Sequence, residues 1–186
     1  ALGYARYERT ADDLEIPHDL VIANLVFDDS LIGDLIENSM SREYAEAAFG
    51  AAPPDLTLAG RVHTANWLYT YLKSFYNDPS RTLGTNNKIF PNVGMPNVLY
   101  DLQGDVTCDN HETGDPAQCD LYAEGNGSMS TEEFDTAVAD LVNFLYYIGE
   151  PVRDRRQQIG IWVLLFLGVL YVLAALMGRE YSKDYH

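Results

Sequence analysis

Residues 159–177, IGIWVLLFLGVLYVLAALM, carry no charge, and nine residues follow them. At about 1.5 Å per residue this run makes a helix of roughly 28 Å, enough to cross the hydrocarbon core of a bilayer. The residues before it are polar, acidic and patterned like a folded domain. The sequence therefore predicts a head (1–150), a basic start to the tail helix (151–158), a membrane span (159–177) and a short polar tail (178–186).

Charge separates these parts. Residues 1–150 hold 25 of the 28 acidic residues and 7 of the 12 basic ones, a net of −18, whereas residues 151–186 are at +2. About 150 residues suffice for one domain with a core. So acidic a head repels nucleic acid and anionic lipid, and it attracts a basic protein in a salt-dependent way. The plainer reading of the same charge is solubility.

Cys108 and Cys119 are the only cysteines, in the polar stretch TCDNHETGDPAQCD. They are not a Cys-x-x-Cys pair, and with only His111 nearby they do not make a zinc site. A disulfide closing a short loop would be worth about 2–3 kcal/mol and implies an oxidising compartment. Two unpaired thiols in a cytosolic loop are the other reading. The sequence opens on ALGYARYERT without a charged-then-apolar leader.

Along the chain, Pro17 opens a short helix carrying Leu20, Val21 and Leu25. Ser41–Phe49 reads as a helix stopped by Gly50. Asp55 is expected to cap a longer helix with Leu58, Val62, Ala65, Leu68, Tyr69, Leu72 and Tyr76 on one face. Residues 77–104 have no sustained period and read as a long loop of the kind that carries function. Residues 105–129 read as an exposed excursion. Ser130 and Glu133 form a capping box for a helix over 131–149, with Phe134, Val138, Leu141, Leu145 and Ile148 as its apolar stripe. Pro151 starts the last helix. Trp162 near one end of the span, and Tyr181 and Tyr185 near the other, suit membrane interfaces. Arg153, Arg155 and Arg156 on one side nearly balance Arg179 and Lys183 on the other, so charge does not orient the span.

Motifs for independent catalysis are missing: there is no G-x-S-x-G, Walker loop, H-E-x-x-H or G-x-G-x-x-G. His18, His63, His111 and His186 are scattered. His63 is expected on a helix, one step off its apolar face, as a surface or boundary residue rather than a ligand, and Arg61 and His63 suit an anionic cofactor. Met95 stands out because it sits in a proline-bounded loop, Ile89–Pro96. A loop methionine is usually a core filler, but a thioether is also a haem ligand that raises the potential of a His/Met pair.

Several segments in order carry a resemblance. They are Tyr4, Arg6 and Tyr7; Pro53, Pro54, Asp55 and Leu56; Trp67, Tyr69 and Leu72; Tyr76 to Pro79; Phe90, Pro91 and Val93 to Pro96; Asp140 to Phe144; and Glu150, Pro151 and Arg155 before the span. In this series the chain resembles the cytochrome c1 family, the haem subunits of cytochrome bc1 complexes. The strings GAAPPDLTL, YTYL and FPNVGMPN are most similar to proteobacterial members.

The resemblance implies a mainly α, cytochrome c-like haem domain with long irregular loops plus one C-terminal transmembrane helix. It implies a covalent haem c with Met95 as axial iron ligand. Tyr4, Arg6, Pro53, Pro54, Tyr76, Phe90 and Pro91 would lie near that haem. It implies cytochrome b and the Rieske iron–sulfur protein as partners in a dimeric complex, and a soluble basic cytochrome c as acceptor. The head would stand in the periplasm, or on the equivalent intermembrane-space side, with the C-terminus in the cytoplasm. The chain would be a non-independent subunit of a quinol–cytochrome c oxidoreductase.

Two departures accompany this. The arginine that many members place before the proline pair is replaced in Ala45–Gly50 (AEAAFG). No Cys-x-x-Cys-His occurs in the sequence; in the family that motif precedes the segment matching Leu2–Tyr4, so an N-terminally incomplete member is expected. The apolar stripe of 131–149 is expected to need a helix from that earlier segment to cover it. A haem-less docking subunit with the same fold is the alternative function.

Overall fold

The computed structural model describes residues 2–26, 28–37, 40–109 and 119–183. The elements run β1 (Leu2–Arg6), α1 (Tyr7–Asp13), α2 (His18–Leu25), β2 (Leu35–Ile36), α3 (Arg42–Phe49), α4 (Ala59–Val62), α5 (Ala65–Lys73), β3 (Phe75–Asn77), β4 (Thr85–Asn87), α6 (Tyr100–Gln103), β5 (Val106–Cys108), β6 (Leu121–Ala123), α7 (Thr131–Gly149) and α8 (Arg153–Lys183). Among the described residues the strands form three separate antiparallel pairs, β1 with β2, β3 with β4 and β5 with β6. Residues 1–149 and 150–186 are two compact units.

The principal core lies between α5 and α7. Leu68 and Leu72 meet Phe134, Val138 and Val142 there. The buried stripe of α7 is Phe134, Val138, Val142, Leu145 and Ile148. Val142 thus takes the central place expected of Leu141, which is half-buried at the margin. Each such side chain stabilises by about 1.5–3 kcal/mol. In the structure α4 and α5 cover this stripe, so its side chains are buried among the described residues. The capping box forms as expected: the Glu133 carboxylate accepts from the Ser130 N–H at 2.9 Å, and Ser130 Oγ accepts from the Glu133 N–H at 3.4 Å.

The single helix expected after Asp55 is broken. Asp55 accepts from the N–H and hydroxyl of Thr57 at 2.7 and 2.6 Å, a tight turn rather than a helix cap. A short α4 follows, His63 is extended (ψ 149°), and Thr64 caps α5 by accepting from the Trp67 N–H at 3.2 Å. Gly60 lets α4 lie on α7, since a Cβ there would sit 2.7 Å from the Leu145 carbonyl oxygen. Tyr76 falls in β3 rather than on a helical face.

The segment α1–β2 builds a second, smaller cluster of Tyr7, Ala11 and Val21. In α2 only Val21 is buried; Leu20 and Leu25 are exposed. The Tyr147 hydroxyl donates to Asp13 at 2.7 Å and links α7 to α1. At α3, Ser41 accepts from the Tyr44 N–H, and Gly50 stops the helix at φ +78°, a conformation that favours glycine. Residues 105–109 and 119–129 are less of an excursion than expected, because Val106 and Cys119 are buried beside the pairing of β5 with β6. Cys108 and Cys119 form a disulfide with Cα atoms 5.5 Å apart; His111 lies outside the described residues.

The last helix differs from the others. It starts at Arg153, two residues after Pro151, and its 31 residues include an exposed apolar stretch of mean hydropathy 2.7. An uninterrupted apolar surface with internally satisfied backbone is what a bilayer accepts.

Candidate functional site

Met95 is half-buried against the α5–α7 core, and its loop is held by side-chain amides rather than by a regular element. The β3–β4 pairing sets Tyr76 opposite Asn86 and Phe75 opposite Asn87, which brings the two asparagines to the base of the loop. Asn87 is fully buried; its Oδ1 accepts from the Ile89 and Phe90 N–H groups at 2.9 and 3.1 Å. Its Nδ2 donates to the Tyr71 carbonyl at 2.8 Å. Asn86 Oδ1 accepts from the Asn87 and Asn92 N–H groups, both at 2.9 Å, and its Nδ2 donates to Asp78 at 3.0 Å. Asp78 in turn accepts from the Ser80 N–H and hydroxyl. Asn92 adopts φ +63°, a left-handed turn that asparagine tolerates. Buried carboxamides with filled valences fix a chain path at the cost of little apolar area.

Aromatic rings lead to the same point. His63 stacks on Trp67 at 3.9 Å and 14°, Trp67 on Tyr71 at 4.9 Å and 8°, and Tyr71 meets Phe75 edge-on at 5.2 Å. The Tyr71 hydroxyl donates to Met95 Sδ at 3.4 Å. Burial raises the pKa values of Tyr71 and Tyr76. His63 therefore sits in an extended link against Trp67, not on a helix.

Beside the loop a cleft of about 420 Å³ opens between the end of α3 and residues Arg81, Leu83, Thr85, Val93 and Gly94. Phe49 lines it, and Phe90 stands 54% exposed on the loop. Of the site residues expected from sequence, the structure gathers Met95, Tyr76, Phe90 and Pro91 on or beneath this loop. Pro53 and Pro54 lie exposed in the link between α3 and α4. Arg6 is exposed and donates to the Gly33 carbonyl at 2.5 Å, in the N-terminal cluster. The backbone of Tyr4 lies in β1; its side chain is outside the described residues.

The donor chemistry fits one side of the haem that the resemblance implies. A thioether sulfur has two lone pairs; Tyr71 engages one and leaves the other for a metal. The attachment side is not supplied by the described residues. The two cysteines are bonded to each other, His18 is held on Asp12 at 2.8 Å and His63 is stacked on Trp67. Among the described residues no three of His, Cys, Asp and Glu converge as a metal cluster.

Sequence reasoning missed Tyr71, Asp78, Asn86 and Asn87. The rings at 67 and 71 lie four residues apart, a readable sign of one face of α5, with His63 and Phe75 at the same spacing just beyond its two ends. The consecutive asparagines 86 and 87 before an aperiodic loop were a weaker one.

Residues 29–185 match the Cytochrome C1 family. The chain is 48% identical over 190 residues to cytochrome c1 of Allochromatium vinosum, covering all of this chain and 78% of that protein. It is 42% identical over 184 residues to a Nitrosomonas europaea protein named ammonia monooxygenase gamma subunit, covering 99% of this chain and 76% of that one. To mitochondrial cytochrome c1 of Neurospora crassa it is 31% identical over 139 residues, covering 70% of this chain and 36% of the relative. With the pinned methionine loop and the apolar C-terminal helix in place, and with this match over most of its length, the chain belongs to the cytochrome c1 family.

Proposed function

We propose that this chain is the haem-bearing electron-transfer subunit of a bc1-type quinol–cytochrome c oxidoreductase. In this reading it takes electrons singly from the Rieske iron–sulfur protein and delivers them to a soluble basic cytochrome c. The c-type haem supplies reversible one-electron storage. The chain's own residues bind, shield and present it. Met95 would hold the group through its soft thioether sulfur, the Asn86–Asn87 network keeps the methionine loop in place, and Phe90, Pro91 and Tyr76 would form the apolar surround. Tyr4, Arg6, Pro53 and Pro54 belong to the same proposal by resemblance.

The observation that carries the reading is Met95 itself, half-buried on a loop held by buried asparagines, in a chain of this family. The name of the Nitrosomonas europaea relative points to a different enzyme. The bc1 reading is preferred because the Allochromatium vinosum cytochrome c1 is more similar over the same span.

The 159–177 span would dock the subunit beside cytochrome b in a dimeric complex, and Gly160 and Gly168 would permit close helix contact. The head, 1–150, would stand in the periplasm with 178–186 in the cytoplasm. The disulfide supports that side, because such bonds persist in oxidising compartments. The head's net charge of −18 would speed encounter with a basic acceptor and make its rate fall with salt.

A pyridine haemochrome assay on the complex purified from native membranes tests the reading. One c-type haem per copy of this subunit is expected. A subunit without c-type haem would leave the docking role instead.

A further inference from the structure

The cleft beside the Met95 loop holds two polar groups that Met95 does not use. Its α3 side offers only Ala47, Ala48, Phe49 and Gly50, in the stretch where the arginine of many family members is replaced. From the other side Arg81 is the one charged residue that lines it among the described residues, in a head of net charge −18. Thr85 lines it as well, and Thr85 Oγ1 is buried with no hydrogen-bond partner among the described residues. A buried hydroxyl left unpaired costs free energy, so it marks a place where a polar partner belongs.

The turn that carries these residues is fixed. The Asp78 N–H donates to the Gly84 carbonyl at 2.9 Å, the Arg81 N–H to the Asp78 carbonyl at 3.1 Å and the Gly84 N–H to the Arg81 carbonyl at 3.0 Å. The Asp78 carboxylate accepts from Asn86, whose Oδ1 also binds the methionine loop at Asn92. Turn and loop thus share one base. Burial and Asp78 raise the pKa of Tyr76 and Arg81 opposes that rise, so the guanidinium lies within electrostatic reach of the Tyr76 hydroxyl.

We propose that Arg81, with Thr85 beside it, is the positioning residue that holds a haem propionate in this cleft and supplies the cation that the end of α3 lacks. This rests on the proposed reading that the chain carries a c-type haem. A haem is apolar in body and bears two carboxylates. The cleft matches that chemistry, with Phe49, Leu83 and Val93 beside one guanidinium and one unpaired hydroxyl. A guanidinium meets a carboxylate through two parallel N–H donors, and the Thr85 hydroxyl can donate a further bond. In so acidic a head a carboxylate without a cation would be pushed towards its protonated form. The same positive charge favours the ferrous over the ferric state, because reduction removes one positive charge nearby.

Resonance Raman spectroscopy and redox titration of the intact complex test this, on wild type beside Arg81→Gln, Arg81→Lys, Thr85→Val and Arg42→Gln. The last removes an equal charge from an exposed ion pair with Glu46. Arg81→Gln should shift the haem propionate bending mode and lower the midpoint potential. Arg81→Lys keeps the charge but loses the fork, so it should shift the mode and hold the midpoint near wild type. Thr85→Val should shift the mode less, and it keeps the test decisive if Arg81→Gln does not assemble. Arg42→Gln should leave the mode in place. If no change at Arg81 or Thr85 moves the mode in haem-loaded complex, the anchor is overturned while the haem reading stands. A fall in midpoint without a shift of the mode also overturns it, because the charge then acts without contact. Wild type without c-type haem would remove the reading and the anchor together.

Discussion

The α7 helix and the 86–96 loop are both well ordered by their contacts, but opposite means hold them. The helix presents five buried apolar side chains and touches its neighbours through area. The loop buries two asparagines, and their amides bind the backbone at Tyr71, Ile89, Phe90 and Asn92. Area is graded, so the helix tolerates loss in proportion to the atoms removed. Hydrogen bonds to a single buried amide are all-or-none, so the loop's path depends on very few atoms. On the proposed reading Met95 would need a fixed position more than a large stabilising energy, and a loop held by amides suits that.

Three changes sharpen or break this contrast. Phe134→Ala should cost about 3–5 kcal/mol in unfolding free energy by denaturant titration, while the midpoint potential of folded protein stays at the wild-type value. A changed potential would mean that the helix face and the loop are one mechanical unit. Asn87→Ala should cost less, about 2–4 kcal/mol, because it orphans two N–H groups and one carbonyl at about 1–3 kcal/mol each, non-additively. Unlike Phe134→Ala, it should also displace the midpoint potential. Asn87→Ala protein with unaltered potential would show that the loop holds without its amide.

The smallest effect concerns acid. The Tyr147 hydroxyl, followed by Arg9, holds Asp13 below the usual carboxylate range. The Asn126 and Asn77 amides do the same for Asp105, and the Ser130 N–H and hydroxyl for Glu133. Each folded value lies below its unfolded one. Their contribution is therefore complete above about pH 4.5 and is lost as pH falls through the folded values. The melting temperature should be level near neutrality and decline below about pH 4.5, with a weaker decline in Tyr147→Phe. An equal decline in that variant would remove Asp13 from the explanation.

How much of this was legible follows from the same contrast. The 131–149 helix, its capping box, the Gly50 stop and the tail span were readable because each is a local pattern: a period, a cap, a left-handed turn, an uncharged run. The break at His63 was not, since a continuous apolar stripe masked Thr64, whose hydroxyl caps α5. Met95 was singled out by its prolines and by resemblance. Tyr71 was not, because its partner lies 24 residues away, and the β3–β4 pairing that delivers Asn87 beneath it has no periodic signature. The cover that α4 gives to α7 was not legible either, because it depends on a close approach at Gly60 that only a missing side chain permits.

The central claim is that Met95 binds the iron of a c-type haem through sulfur. Near-infrared absorption of the oxidised complex reads this directly, since a thioether on ferric haem gives a charge-transfer band that other ligands do not. The band should be present in wild type and lost in Met95→Leu, with the haem content of the two preparations equal. A band that survives in Met95→Leu, or that is missing from haem-loaded wild type, would contradict the assignment.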